Sequence, residues 1–138
     1  MVLIYGGAYQ GKFDFAKEKF GISKEDIIFF DAENGSGEKH TTAGALNKPV
    51  FDKKCIYNWQ YFVLAQIREG TDHISYLSEN TGIFKDKLII CDDISQGVVP
   101  IDTETRLWRE VTGRSVTYLS GKSDEVWRVF CGIGTRIK

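Results

Sequence analysis

The residues best suited to chemistry open the chain, where a short apolar run, Met1 to Tyr5, breaks into Gly6-Gly7-Ala8-Tyr9-Gln10-Gly11-Lys12-Phe13. Glycines let consecutive backbone N–H groups turn toward one anion, and the following helix N-terminus adds partial positive charge. A lysine in that helix's first turn reaches the outer phosphates. The spacing is G-x-x-x-x-G-K, so Gly6, Gly7, Ala8, Tyr9, Gln10, Gly11, Lys12 and Phe13 form a candidate nucleotide cradle, with Lys12 as its catalytic cation. The full motif next supplies a Ser or Thr hydroxyl to Mg²⁺; here that position is Phe13. An ordinary tight turn between strand and helix, with Lys12 solvated, is the bland reading of the same residues.

Other candidates stand further along. Leu88-Ile89-Ile90-Cys91 reads as the clearest buried strand, and its end delivers Asp92 and Asp93. In open α/β sheets the ligand crevice lies outside the carboxyl ends of the strands, so both acids are expected to face the phosphates. Asp93 is the stronger candidate for binding Mg²⁺ or acting as a base, with Asp92 beside it; either could instead cap or open the Ser95-Gln96-Gly97 turn. Arg106 and Arg109 fall on the polar side of a helix, where they either clamp a transferring group or form a solvated face. His40 sits within a glycine-rich stretch, about 31–50, that reads as a long loop or lid. It is a candidate nucleophile or acid/base group, although a solvated loop histidine is the commoner case.

Elements to position these groups follow from apolar patterning. Ile27 to Phe30, and less clearly Cys55 to Tyr57, read as further buried strands, with Lys53 and Lys54 unusual before the latter. Phe15, Ala16 and Phe20 share a face of the first helix, which Gly21 stops. Trp59, Phe62, Val63 and Ile67 form the core-facing stripe of a second helix that Gly70 ends. A weaker helix runs from about Thr71 to Glu79 before Asn80-Thr81-Gly82 breaks it. Asp102 or Thr103 caps a long helix to about Ser120, with Leu107, Val111, Tyr118 and Leu119 inward. Glu125 to Cys131 is a last strand. The fold class is therefore α/β, a mostly parallel sheet flanked by helices, in a single domain over residues 1–138.

Composition narrows the partners. Apolar residues make up 42% of the chain and aromatics 13%, which is globular rather than disordered. A net charge of -1 with mixed signs offers no basic stripe to nucleic acid and no polybasic patch to a membrane. With no signal-peptide pattern and no apolar run approaching a membrane span, a cytoplasmic location is expected. Cys55, Cys91 and Cys131 are widely spaced and expected to be buried thiols, and His40 and His73 are too far apart to suggest a metal site.

These pieces resemble the bifunctional adenosylcobinamide kinase and adenosylcobinamide-phosphate guanylyltransferase family of late cobalamin assembly. That family opens with G-G-A-x-S-G-K-S, similar to Gly6-Gly7-Ala8-Tyr9-Gln10-Gly11-Lys12-Phe13. Its N-E-V-G-x-G-I-V-P segment is similar to Asp92 through Pro100, and its R-x-F-R-D-x-x-G to Arg106-Leu107-Trp108-Arg109-Glu110 and Gly113. Its ending, A-D-E-V-W-x-V-x-x-G-I-G-x-K-I-K, resembles Ser123 through Lys138. The resemblance implies a P-loop sheet of the RecA-like sort, GTP or ATP as donor, a corrinoid precursor as acceptor, and a small ring of identical subunits. It also implies guanylyl transfer through a covalent histidine. Here the chain departs from the pattern: the middle is shorter, and His40 lies in the right region with Gly44 where an arginine would follow. Val116-Thr117 stand where the family has N-Q, and Lys54 is nearest to its middle-strand acid. A nucleotide-dependent transferase and a non-catalytic nucleotide-binding or assembly module on the same scaffold are the two readings that result.

Overall fold

In the computed structural model, which describes residues 1–32 and 51–138, the apolar runs become the strands of a six-stranded α/β sheet flanked by helices. In chain order the strands are β1 (Val2–Gly6), β2 (Ile27–Phe29), β3 (Cys55–Tyr57), β4 (Leu88–Asp92), β5 (Glu125–Phe130) and β6 (Ile133–Arg136). The helices are α1 (Lys12–Phe20), α2 (Trp59–Arg68), α3 (His73–Glu79), α4 (Thr81–Phe84) and α5 (Thr103–Lys122). Their spatial order is β2-β3-β4-β1-β5-β6, with every neighbouring pair parallel except β5 and β6. β1 therefore lies between β4 and β5, and Gly6 at its end stands opposite Asp92.

Because strand side chains alternate between faces, each buried run feeds two cores. Leu3, Ile56, Ile89 and Cys91 pack with Trp59, Phe62, Val63, Leu77, Phe84 and Leu119 of the α2–α5 layer. Ile4, Cys55, Leu88 and Ile90 pack on the opposite face with Ala16 of α1, and with Phe13, Phe15 and Phe20 at its margin. Each fully buried aromatic or aliphatic side chain removes enough apolar surface from water to contribute about 1.5–3 kcal/mol. The α2–α5 side, with Trp59 and Phe62 both wholly buried, carries the larger share.

The structure corrects the sequence reading in several places. The segment after Cys131 is not a plain chain ending: Ile133–Arg136 turns back as an antiparallel edge strand. A short helix, α4, stands where Asn80-Thr81-Gly82 was read as a break. Leu107 is 43% exposed, whereas Trp108, Thr112, Ser115 and Leu119 form the inner stripe of α5. Val111, Tyr118 and Leu119 pack inward as expected, and the polar Thr112 and Ser115, which hydropathy does not mark, are buried beside them. Cys55 and Cys91 are buried, but Cys131 is exposed, because it occupies a tight turn rather than the end of β5. His40 and most of the 31–50 stretch lie outside the described residues. No helix among the described residues is long and apolar enough to cross a membrane.

Candidate functional site

The site is assembled at the carboxyl end of β1 and β4. At Gly6 an added Cβ would sit 2.2 Å from the Val129 carbonyl oxygen, so only glycine lets β1 meet β5 there. The chain then turns through Gly7 to Gly11 and enters α1 at Lys12. The first N–H groups of α1 have no intrahelical partners, and the helix presents its positive dipole end at this edge.

Lys12 is only 4% exposed. Its Nζ donates to the Gly7 carbonyl at 2.5 Å and pairs with Asp92 Oδ1 at 2.5 Å. A lysine so far removed from water needs such partners, because an unpaired buried ammonium is costly. Asp92 points toward α1 because it shares parity with Leu88 and Ile90; its backbone N–H is fixed from the opposite layer by Gln60 Oε1 at 3.1 Å. The Asp92 side chain keeps 20% exposure, so the pair opens on solvent.

Asp93 has the other parity and a different occupation. Its Oδ1 accepts from the Ser95 backbone N–H at 3.0 Å and the Ser95 hydroxyl at 2.5 Å, and its Oδ2 accepts from Gln96 Nε2 at 3.1 Å. Burial pushes its carboxyl up, but the hydrogen bonds from Ser95, Tyr5 and Gln96 outweigh that and hold it below the usual carboxylate range. The same arrangement raises the Tyr5 phenol far above its ordinary value, through burial first and the Asp93 contact second. Asp93 thus opens the Ser95-Gln96-Gly97 turn, while Asp92 meets the cradle lysine.

The arginines divide similarly. Arg109 Nη1 donates to the Val98 carbonyl at 2.7 Å and Nη2 to the Ser95 carbonyl, bracing the loop after β4. Arg106 is exposed, with its Nη2 3.4 Å from the Thr103 hydroxyl. Phe13, at the motif's hydroxyl position, packs edge-on against Tyr57 with ring centroids 6.0 Å apart. Tyr9 is fully exposed at the tip of the turn. His40, the remaining candidate, lies outside the described residues.

Three neighbours of the site were not singled out from the sequence: Tyr5, Tyr57 and Gln60. Tyr5 and Tyr57 both stand at the ends of parallel strands, the positions where ligands meet such sheets. The Tyr57 phenol is raised by burial first and then by Asp92. Gln60 carried no signal beyond being a polar residue in a core-facing helix.

Asp92 is the carboxylate at this edge that could take part in holding a divalent cation. Among the described residues no three of His, Cys, Asp and Glu converge as a metal site. Mg²⁺ commonly takes one or two carboxylates and completes its shell with phosphate oxygens and water, and Asp92 can provide one. Such an ion would offset phosphate charge at this edge.

No protein-family model matches this chain. Over 51 residues, 37% of the chain, it is 35% identical to the bifunctional adenosylcobalamin biosynthesis protein CobU of Salmonella typhimurium. Over the same length it is 33% identical to CobU of Escherichia coli. The matched stretch spans 28% of each of those proteins, so it is a partial, distant relationship.

Proposed function

We propose that Gly6 to Phe13 binds the phosphates of GTP or ATP, and that the chain transfers a phosphoryl or guanylyl group from that nucleotide to an acceptor. The partial similarity to adenosylcobalamin biosynthesis proteins supports a corrinoid precursor as that acceptor, and the order strand, glycine-rich turn, helix supports a P-loop fold of the RecA-like sort. The observation that carries the reading is the buried Lys12 ammonium, shared between the Gly7 carbonyl and Asp92 beside the start of α1. Such a cation is held in place before any phosphate arrives, and positioning with charge neutralisation is most of what phosphoryl transfer asks of a protein. In this reading Lys12 meets the outer phosphates and Asp92 holds the metal side. Asp93 shapes the following loop with Arg109, and Arg106 is the candidate arginine for developing charge. His40 is the candidate to carry a covalent guanylyl group.

One observation favours the second reading, a nucleotide-binding module without turnover: the place of the metal-ligating hydroxyl is taken by Phe13, packed on Tyr57. Calorimetry of GTP and ATP with and without Mg²⁺, followed by incubation with a corrinoid precursor and mass spectrometry of protein and acceptor, separates the two. Transfer to the acceptor, or a guanylylated protein lost on His40→Ala, supports the transferase. Nucleotide binding with neither product supports the module, and no binding contradicts both.

A further inference from the structure

Gln10 belongs to the turn that should contact phosphate, yet both of its carbonyl groups are engaged elsewhere. Its side-chain Oε1 accepts from the Cys131 backbone N–H at 2.7 Å, and its backbone oxygen accepts from the Gly132 N–H at 2.9 Å. Cys131 and Gly132 are the two-residue turn of the β5–β6 hairpin, at φ 50° and 77°. That pair of positive φ values is the primed-turn geometry that suits the twist of an antiparallel hairpin. The contact is close on both sides: an added Cβ at Gly11, φ 79°, would meet the Gly132 Cα at 3.1 Å. Next to Gln10, Tyr9 is held at φ 58°, an uncommon conformation for a residue with a side chain. So two turns, each in left-handed backbone, lock together through one glutamine.

We propose that Gln10 is a positioning residue rather than a phosphate contact: it straps the glycine-rich turn to the β5–β6 hairpin and so holds that turn open for an anion in advance. This role rests on the nucleotide reading above. The strap is directional. An N–H of the hairpin can be satisfied only by an acceptor, so the Gln10 amide must present its oxygen there and its NH₂ away. Holding the turn in its binding shape removes an ordering cost from the binding step. The hairpin, built at the far end of the chain, thereby becomes a wall of the site.

The test uses inorganic triphosphate as ligand and three proteins: the unaltered chain, Gln10→Leu and Gln10→Glu. Leucine removes the acceptor, whereas glutamate keeps an acceptor oxygen for the Cys131 N–H and adds negative charge. For a strap, Gln10→Leu weakens triphosphate binding about 10-fold, the effect of one lost hydrogen bond, and Gln10→Glu binds better than Gln10→Leu. For a direct phosphate contact the order reverses, because the new carboxylate repels the ligand, and that reversal would overturn the proposal. Amide hydrogen exchange is the readout independent of ligand: Cys131 is protected in the unaltered chain and in Gln10→Glu, and exchanges at least about 10-fold faster in Gln10→Leu. Triphosphate binding by an unaltered chain whose Cys131 amide is unprotected would overturn the strap alone. No triphosphate binding, with Cys131 protected, would overturn the nucleotide reading and the positioning role with it. Should Gln10→Leu fail to fold, exchange in the unaltered chain and in Gln10→Glu still decides.

Discussion

On the α2–α5 face of the sheet, Trp59 Nε1 donates to the Ser115 hydroxyl at 2.8 Å, and that hydroxyl is 2.8 Å from His73 Nε2. His73 Nδ1 meets Gln66 Oε1, which, as an acceptor, assigns the ring proton to Nδ1 and leaves Nε2 to accept from Ser115. Donors and acceptors run in one direction from α2 through α5 to α3 and back to α2, and His73 is 2% exposed. On the α1 face the buried polar group is Lys12, and its partner Asp92 stays partly open to solvent at the end of a strand. Both clusters hold a titratable side chain out of water. One is closed on itself; the other has an open side where a ligand can compete for the cation. Burial of a polar group therefore does not by itself mark a site; what distinguishes Lys12 is that its partner stays partly open to solvent at the carboxyl edge of the sheet.

The largest effect is expected where the closed cluster is broken. Ser115→Ala leaves the Trp59 N–H and the His73 Nε2 without a buried partner, at about 1–3 kcal/mol each, with nucleotide affinity unchanged. Denaturant unfolding measures the first and calorimetry the second; a Ser115→Ala protein of undiminished stability would mean the network is not closed. The same cluster sets an acid limit. Burial lowers the His73 pKa from 6.5 to about 4, outweighing the opposing influence of Asp72. Its folded value lies below its unfolded one, so the stability is present above about pH 6.5 and is lost as pH falls toward about 4. The total is about 3 kcal/mol by linkage. That slope should vanish from the unfolding profile of His73→Gln, and a persistent slope would assign it to other groups.

Smaller effects probe the open cluster. Asp92→Asn removes a negative charge beside the cradle while keeping its shape. Metal-free triphosphate binding should tighten by about 1 kcal/mol, and enhancement by Mg²⁺ should disappear. An unchanged metal dependence would exclude Asp92 from the metal side. Arg109→Ala should cost least, under about 1.5 kcal/mol, because it frees exposed carbonyls of Ser95 and Val98 that water can satisfy. Faster amide exchange confined to the loop between β4 and α5 would be its signature.

How much of this could be read from residues alone differs between the clusters for a physical reason. β1 and β4 were legible because strands buried on both faces are continuous apolar runs. The parity that separates Asp92 from Asp93 was not legible, since such a run does not reveal which face the first helix covers. β6 was hidden because it is an exposed edge strand: Ile133 is 71% exposed, and Cys131-Gly132 lacks the Asn or Asp that usually announces a primed turn. The His73 network was hidden by its chemistry. Its members are scattered polar residues on three helices, and nothing in their spacing says they meet.

If the Lys12–Asp92 pair serves phosphate as proposed, nucleotide binding must depend on Lys12. The most direct measurement is titration calorimetry of GTP and ATP with Mg²⁺ into the unaltered chain and Lys12→Ala, with unfolding curves of both. Loss of a charged hydrogen bond predicts roughly 100-fold weaker nucleotide binding by Lys12→Ala with the fold retained. Equal binding by the two proteins would contradict the account and return Lys12 to a purely structural ion pair.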